Sequence, residues 1–399
     1  MSSSDRPAVL GGTPIFPETL SIVRPALPTL QEIAEPLQEM LASGQVTRAR
    51  FMRSLEEEAA EVTGAAHAVA VCNCTAGLML ALRSLEQGGS VIMPSFTFMA
   101  TAAAVVWNGL RPVFADADLE TMNVMPESVA NLVGPDTKAI LAVHNFGAPA
   151  PVEALQEIAA RHHLMLVFDA AHALGSRHAG KPVGGFGDAE VFSLSPTKVV
   201  VGCEGGLVTT SHTDLAEQIK VGREYGNPGS YDSVLVGMNA RMSEPHAIMA
   251  RWSLARMREH VARRNEIASL AKERLLKLPG IRFQRIADGD LSAYKDLTIA
   301  INAQQAGLAR DQVTSALRAE GVDTRAYYKP AIHQMTCYRR YADGSALPNT
   351  ERLTQECLSL PMHSQMTDEV ADGICLAVER IWRHRDAVRD SLASGPEDR

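Results

Sequence analysis

The segment HLMLVFDAAHALG at residues 163–175 is the starting point for predicting the fold. Its apolar run, LMLVF, is continuous rather than alternating, which is typical of a strand covered on both faces of a parallel sheet. The run ends at Asp169, and small residues follow. Because ligands bind at the carboxyl ends of strands in open α/β sheets, this aspartate is a candidate binding residue.

Similar apolar runs alternate with helical patterns from about residue 66 to residue 211. The other predicted strands are HAVAVCN, SVIMPSF, RPVFADAD, KAILAVHNFG, EVFSLS and GGLVTTS, and helical patterns such as TAGLMLALRSLEQ and TFMATAAAVVWNG lie between the first of them. Strands that alternate with helices predict an α/β fold with a mostly parallel sheet and helices on both faces.

The pattern changes after this region. Residues 244–276 carry one long helical pattern rich in charges, and the strand-like LPGIRF and YKDLTIAIN follow it, with helix-like LARDQVTSALRAEG after them. This α+β texture predicts a second, smaller domain. We therefore expect a large domain over residues 1–259, including the N-terminal segment, and a small C-terminal domain over residues 260–399.

Composition excludes several functional classes. The 399 residues are 46% hydrophobic and 21% charged, as in soluble proteins with a large core. A net charge of -8 gives no overall attraction for nucleic acid, and there is no polybasic cluster for a membrane. The six cysteines have no zinc-type spacing, so we predict no metal site and a reduced, cytoplasmic location. No signal-like or membrane-spanning apolar run is present.

Residues 191–210, VFSLSPTKVVVGCEGGLVTT, place a single lysine, Lys198, in an otherwise apolar segment. Burial lowers the pKa of a lysine, and a desolvated lysine is a good nucleophile for Schiff-base formation. Taken alone, such a lysine more often lies at a strand end with its ammonium in water. The glycine-rich turn after it is expected to leave room for a cofactor.

Asp169 makes the functional interpretation of Lys198 stronger. Pyridoxal phosphate (PLP) needs a lysine for its aldehyde and a carboxylate beside its ring nitrogen, which keeps that nitrogen protonated. Taken alone, an aspartate at a strand end is equally suited to cap the next helix.

Residues 73–82, NCTAGLMLAL, join a strand end to a helix, and Thr75 and Ala76 lie at the helix start. Free backbone N–H groups there can bind a phosphate, although a plain helix cap has the same appearance. The hydroxyl of Ser193 can add a donor, and Phe98 can stack on a flat ring or belong to the core. The occurrence of all these features in one α/β chain predicts a PLP site.

These residues lie in stretches that resemble the DegT/DnrJ/EryC1/StrS family of sugar aminotransferases, PLP enzymes of aspartate aminotransferase fold type I. The resemblance runs from RPALPT near residue 24 to LSLPMH near residue 363. The matching stretches between them are VCNCTAGLMLAL, MPSFTFMATAAAV, PVFADADLETMNV, FDAAHALGS, GGFGDAEVFSLSPTK, GCEGGLVTT and GMNARMSEPHA.

The resemblance implies a role for each candidate near the cofactor ring. Lys198 is expected to bind PLP covalently and to move the proton during transfer, with pyridoxamine phosphate carrying the amine between half-reactions. Asp169 is expected to pair with the ring nitrogen, His172 to lie near the ring hydroxyl, and Phe98 to stack on the ring. Many members have glutamine at the position of His172. Some relatives have histidine in place of the lysine and catalyse a dehydration, so Lys198 favours transamination.

The resemblance also implies how the phosphate is held. Thr75 and Ala76 are expected to offer backbone N–H groups, and Ser193 its hydroxyl. Asn239, in GMNAR, is expected to reach the same phosphate from the other subunit. A homodimer with shared sites is therefore the expected assembly.

Substrate contacts are expected in two places. Arg241 either contacts substrate or braces the dimer. The stretch YYKPAIH at 327–333 lies where relatives place substrate-binding residues, so Tyr328, Lys329 and His333 are candidates. His144, at another predicted strand end, either faces the cofactor or is a hydrogen-bonded core residue; the second interpretation is favoured.

The predicted reaction moves an amino group from L-glutamate, or glutamine, to a nucleotide-activated keto-sugar, with C4 of a dTDP-4-keto-6-deoxyhexose favoured. The alternative is a keto-cyclitol aminotransferase of the scyllo-inosose type or a 3-amino-5-hydroxybenzoate-type synthase. A PLP-binding regulator would need an appended DNA-binding segment, for which the pattern leaves no room. A nicotinamide-dependent dehydrogenase would need a glycine-rich turn between strand and helix, whereas VGGFGDAE at 183–190 leads into a strand.

Overall fold

A computed structural model of the chain describes residues 5–85, 88–342, 344 and 346–393. Within these residues, no helix combines the length and the apolar character needed to cross a membrane.

The strands agree closely with the apolar runs of the sequence. Their bounds are β1 (His67–Val71), β2 (Ser90–Pro94), β3 (Arg111–Ala115), β4 (Thr137–Val143), β5 (Met165–Asp169), β6 (Arg177–His178), β7 (Lys181–Pro182), β8 (Ala189–Ser193), β9 (Gly206–Thr210), β10 (Ile281–Phe283), β11 (Leu297–Ile301) and β12 (Cys357–Leu360).

The α-helices are α1 (Leu30–Ser43), α2 (Arg50–Thr63), α3 (Cys74–Leu82), α4 (Met99–Trp107), α5 (Pro126–Leu132), α6 (Val152–His162), α7 (Thr213–Gly222), α8 (Glu244–Ala255), α9 (Met257–Leu275), α10 (Ala303–Ala306), α11 (Arg310–Ala319), α12 (Pro348–Glu356), α13 (Asp368–Arg383) and α14 (Arg385–Ala393). Short 3-10 helices occur at Ala8–Leu10, Asn145–Gly147, Ile332–Gln334 and Arg339–Tyr341.

Seven strands form the main sheet in the order β1-β9-β8-β5-β4-β2-β3. The five strands from β8 to β3 run parallel, and β9 runs antiparallel to both of its neighbours, β8 and β1. The predicted α/β class, with a mostly parallel mixed sheet, is confirmed.

Both faces of this sheet are covered by helices, which is why its strands are continuously apolar. On one face, Leu141, Val167 and Val191 pack with residues of α3 and α4. On the other face, α2 and α8 cover one half, and α5 and α6 cover the half around β4 and β5.

The direction of the strands indicates which edge of the sheet, the one formed by strand ends, is suited to bind a ligand. Because β1, β8, β5 and β4 all run the same way, their carboxyl ends meet there. Helix α3 begins at the same edge directly after β1, and α4 begins there after β2. Two helix N-termini therefore point toward the ends of the central strands, as in other open α/β sheets that bind ligands.

The helical pattern over 244–276 is divided, contrary to the single long pattern in the sequence. Helix α8 ends and α9 begins at Arg256, whose backbone angles of φ -101° and ψ 2° interrupt the helix. The guanidinium of Arg256 lies 4.1 Å from the ring centroid of Trp252 and bonds to Glu32 at 3.0 Å. The bond to Glu32 joins the break to α1, which only the tertiary structure brings close.

The last part of the chain forms a three-stranded antiparallel sheet in the order β10-β11-β12. Helices α9, α11 and α13 pack on it, and the N-terminal residues Leu10, Phe16 and Leu20 pack against the same core cluster. Helix α9 contributes Val261 to the core of the main sheet and Ile267 to this second core. The division at 259/260 stays a prediction.

Candidate active site

A cavity of about 360 Å³ lies at the carboxyl ends of the central strands. It brings together residues that are far apart in the chain: Asn73, Cys74, Thr75, Thr97, Phe98, Ala100, Val143, Asp169, Ala171, His172, Ser193, Ser195, Thr197, Lys198, Glu204, Lys295, Tyr327 and Tyr328. Seven of the predicted site residues are in this set: Thr75, Phe98, Asp169, His172, Ser193, Lys198 and Tyr328.

Lys198 enters the cavity from the turn that follows β8. Its backbone N–H donates to the carbonyl of Ser195 at 3.0 Å, which closes the turn. The three valines at 199–201 are buried and anchor the segment in the core. Burial lowers the pKa of the Lys198 ammonium from its usual 10.5 to about 8, and the positive charge of Lys295 adds to this effect.

Asp169, at the end of β5, forms the inner wall of the cavity. Its carboxylate accepts a hydrogen bond from the Thr101 hydroxyl at 2.7 Å and from the Ala171 N–H at 3.1 Å. The thiol of Cys74 lies 3.9 Å from the same carboxylate. Burial raises the pKa of Asp169, whereas the two donors lower it. The carboxylate is therefore held in one orientation and is suited to face a cationic group of a ligand.

His172 lines the cavity as a neutral ring. Its Nδ1 accepts the Phe146 N–H at 3.2 Å, which places the ring hydrogen on Nε2. Burial lowers the pKa of His172 well below 6.5.

His144 is a core residue, as the favoured interpretation holds. Its Nδ1 accepts the Ala150 N–H at 2.8 Å, its Nε2 bonds to Glu190 at 2.9 Å, and its ring stacks on Phe168. Both ring nitrogens are thus occupied within the protein.

The N-terminus of α3 lines the part of the cavity that is suited to bind an anion. The side chain of Asn73 caps the helix by accepting the Ala76 N–H at 2.8 Å. The Ala76 N–H, which was predicted to bind the phosphate, is therefore already bonded within the protein. The Thr75 N–H belongs to the first turn of α3, where N–H groups have no partner within the helix. Thr75 and Ser193, at the end of β8, both line the cavity.

Gly206 has a role different from the one expected of the glycine-rich turn. A Cβ there would lie 2.7 Å from the backbone of Asn73 and Cys74. The space that this glycine leaves is therefore filled by the start of α3, not by a ligand. Gly77 acts in the same way, because a Cβ on it would lie 2.7 Å from the side chain of Val191.

Asn239 and Arg241 do not line the cavity of their own chain. Asn239 is exposed and forms a β-bridge with Glu224. Arg241 donates to the Glu224 carboxylate at 3.0 Å and lies over the ring of Tyr225.

Of the three candidates in YYKPAIH, only Tyr328 lies in the cavity. Its ring is 6% exposed and stacks on Phe146, and its hydroxyl has no hydrogen-bond partner among the described residues. Lys329 points elsewhere and pairs with Asp311 at 2.9 Å. The Nδ1 of His333 and the hydroxyl of Ser95 form a hydrogen bond of 2.7 Å, and neither residue lines the cavity.

Several residues of the site were not identified from the sequence. Lys295 and Tyr327 line the cavity, and Thr101 fixes Asp169 from α4. The Nζ of Lys295 donates to both carboxylate oxygens of Asp296, each at 2.9 Å, and both side chains are buried. A Lys-Asp pair directly before the apolar strand LTIAI was the available signal, because buried charges need a reason.

These residues fit pyridoxal phosphate. Asp169 suits the protonated ring nitrogen, and the α3 start with Ser193 suits the phosphate. Phe98, with 49% of its surface exposed, lies at the cavity mouth where a ring can stack. The buried Tyr328 hydroxyl, which has no partner among the described residues, is the kind of group that a ligand satisfies.

Comparison with known proteins identifies the family of the chain. Residues 29–379 match the model of the DegT/DnrJ/EryC1/StrS aminotransferase family. The structure of DesI in the presence of its TDP-sugar product is similar, with 38% identity, a TM-score of 0.89, and coverage of 98% of this chain and 99% of that chain.

Two further solved structures are similar. DesV from S. venezuelae is 30% identical, with a TM-score of 0.81 and coverage of 94% of this chain and 100% of its own. Helicobacter pylori PseC, an aminotransferase involved in the biosynthesis of pseudoaminic acid, is 25% identical, with a TM-score of 0.85 and coverage of 92% and 100%. The chain belongs to the DegT/DnrJ/EryC1/StrS family of PLP-dependent aminotransferases.

Proposed function

We propose that this protein transfers an amino group from L-glutamate to a nucleotide-activated keto-sugar, using PLP bound covalently to Lys198. The observation that carries the proposal is the presence of Lys198 and a buried, hydrogen-bonded Asp169 in one cavity. The similarity to DesI, which was solved with a TDP-sugar product, supports the substrate class.

Bound PLP supplies an aldehyde that condenses with amines and a ring that accepts electrons. The carboxylate of Asp169 would stabilise a proton on the ring nitrogen, and the hydrogen bond from Thr101 keeps that carboxylate in place. His172, neutral and with its hydrogen on Nε2, can donate to the ring hydroxyl. The Thr75 N–H and Ser193 hold the phosphate at the helix end.

Lys198 is the group that moves the proton. Burial lowers the pKa of Lys198 to about 8. Because this value is near neutral pH, the Lys198 amine can both accept and release a proton. It accepts the proton of the donor's α-carbon in the first half-reaction. It returns a proton to the sugar carbon in the second.

The favoured acceptor is a dTDP-4-keto-6-deoxyhexose that receives the amine at C4. The first experiment is to record the visible absorption of the purified protein and then add L-glutamate. Loss of the yellow band identifies the donor half-reaction, and a Lys198→Ala variant should not show it. A protein that gains no yellow band with added PLP would overturn the proposal.

The acceptor is then tested with a panel of dTDP-, UDP- and GDP-keto-sugars against keto-inositols, each offered to the amine-loaded enzyme. Return of the yellow band with a dTDP-4-keto-sugar supports the favoured substrate. Return only with a keto-inositol would point to the cyclitol alternative.

The working unit is a homodimer in which Asn239 completes the partner's phosphate site. Asn239 is exposed in its own subunit, and the same segment exposes apolar side chains at Tyr231 (99%), Val234 (63%) and Val236 (71%). A second subunit would cover these groups.

Mixing two inactive variants tests the shared site. Lys198→Ala and Asn239→Asp each disable both sites of their own homodimer. A mixed dimer regains one intact site, so re-equilibrated mixtures should recover about a quarter of the wild-type activity. Recovery of none would place Asn239 outside the partner's site.

A further inference from the structure

The active-site cavity contains a second buried cation that the reaction as proposed does not use. Lys295 lines the cavity together with Lys198, but it is only 4% exposed. His172 also lines the cavity, and burial keeps it neutral because its pKa is well below 6.5. Once Lys198 has formed its covalent bond, Lys295 is the remaining cation among the described residues of the lining.

Lys295 is presented to the cavity by a rigid support. Its Nζ is held by both oxygens of Asp296 at 2.9 Å and lies 5.2 Å from the centroid of the Tyr327 ring. The buried guanidinium of Arg264 donates to the backbone carbonyls of Tyr294 (2.8 Å) and Lys295 (3.2 Å). The position of the ammonium is therefore fixed before any ligand arrives.

The ion pair is arranged asymmetrically. Lys295 lines the cavity, whereas Asp296 lies behind it and is not part of the lining. An ammonium has three N–H donors, and the two Asp296 oxygens use two of them. A ligand in the cavity therefore meets the ammonium of Lys295, and one of its three donors is left for that ligand.

We propose that Lys295 binds the carboxylate on the reacting carbon of the amino donor. This rests on the proposed function, in which the donor is an α-amino acid whose carboxylate lies one bond from the carbon that reacts near Lys198. Such a carboxylate enters a cavity walled by Asp169 on one side, and it needs a cationic partner to be desolvated there.

The test uses PLP-loaded wild type and a Lys295→Met variant, which keeps the aliphatic stem and removes the charge. Calorimetry measures the affinity for glutarate, a dicarboxylate without an amino group. A spectral titration measures the L-glutamate concentration that half-saturates the donor half-reaction. We expect both affinities to fall about 10- to 100-fold, the effect of losing a charged hydrogen bond. Affinity for dTDP should not change.

Two further variants separate binding from structural support. Lys295→Met leaves Asp296 buried without its partner, so the double variant Lys295→Met/Asp296→Asn removes both charges and should bind glutarate equally weakly. Asp296→Asn alone leaves the ammonium facing the cavity, and it should bind glutarate at least as well as wild type. A purely structural ion pair predicts equal losses for all three variants, which would overturn the proposal.

Other results are equally decisive. Unchanged glutarate and glutamate affinities in a folded, PLP-loaded Lys295→Met protein would overturn the proposal. Weaker dTDP binding with unchanged glutarate binding would overturn it as well, since the cation would then serve the nucleotide phosphates. If wild type does not react with L-glutamate, the proposed function fails, but glutarate binding still reports on Lys295.

Discussion

Replacement of Lys198 by methionine is expected to stabilise the cofactor-free protein near neutral pH. The folded structure lowers the pKa of this lysine from 10.5 to about 8 because it buries the ammonium and places Lys295 nearby. A group whose pKa is lowered on folding binds protons more tightly in the unfolded chain. Protonated Lys198 therefore opposes folding, whereas methionine of similar length does not.

The magnitude follows from the pKa difference of about 2.5 between the two states. At about 1.4 kcal/mol for each pKa unit, the upper limit is about 3 kcal/mol. The Lys198 side chain is partly exposed to water in the cavity, which screens the charge, so we expect about 1–2 kcal/mol. The penalty is complete below about pH 8 and disappears as the pH rises toward about 10.5.

The assay is urea unfolding of cofactor-free wild type and Lys198→Met at pH 7 and at the highest pH that both proteins tolerate. The matched control is Lys277→Met, because Lys277 is exposed and removal of its charge should change stability little. Equal stability of wild type and Lys198→Met at pH 7 would refute the reasoning. If Lys198→Met remains more stable than wild type by the same amount at high pH, the gain in stability comes from packing rather than from removal of the charge.

Three further changes test the support of the site. Thr101→Val removes a donor to Asp169 that is worth about 1.5–3 kcal/mol, and stopped-flow spectra should show a donor half-reaction about 10- to 100-fold slower. Gly206→Ala places a methyl group against the backbone at the start of α3, so PLP affinity in a spectral titration should fall. His144→Phe removes the hydrogen bond from Nε2 to the buried Glu190 carboxylate, which should lower the free energy of unfolding by about 1.5–3 kcal/mol without changing the PLP affinity of the folded protein.

Controls for these changes come from the same chain. Thr354→Val also removes a buried hydroxyl, one that donates to the carbonyl of Thr350 at 2.8 Å in α12, and it should leave the half-reaction unchanged. An equal loss of rate in Thr101→Val and Thr354→Val would mean that the effect is structural. Wild-type PLP affinity in Gly206→Ala would show that α3 can shift without cost. Reduced PLP affinity in folded His144→Phe would contradict a purely core role.

Helix and strand placement followed largely from the local pattern. A continuous apolar run such as LMLVF requires cover on both faces, and its end marks Asp169 as a residue of the binding edge. A single cation in the apolar segment at 191–210 made Lys198 a candidate, and Asp169 strengthened its functional interpretation. The break at Arg256 did not follow from the local pattern, which continues through it; its bond to Glu32 of α1 joins residues more than 200 positions apart.

The sequence alone determined which chemistry this chain can carry, because lysine, aspartate and a helix start are each encoded within a few residues. Only the tertiary structure decided which side chains share the cavity. Thr101 reaches Asp169 across 68 residues, and Lys295 joins Lys198 in the cavity from the segment before β11. Such pairings arise from how strands and helices pack, and no local periodicity records them. For the same reason, Lys329 and His333, neighbours of Tyr328 in sequence, lie outside the cavity.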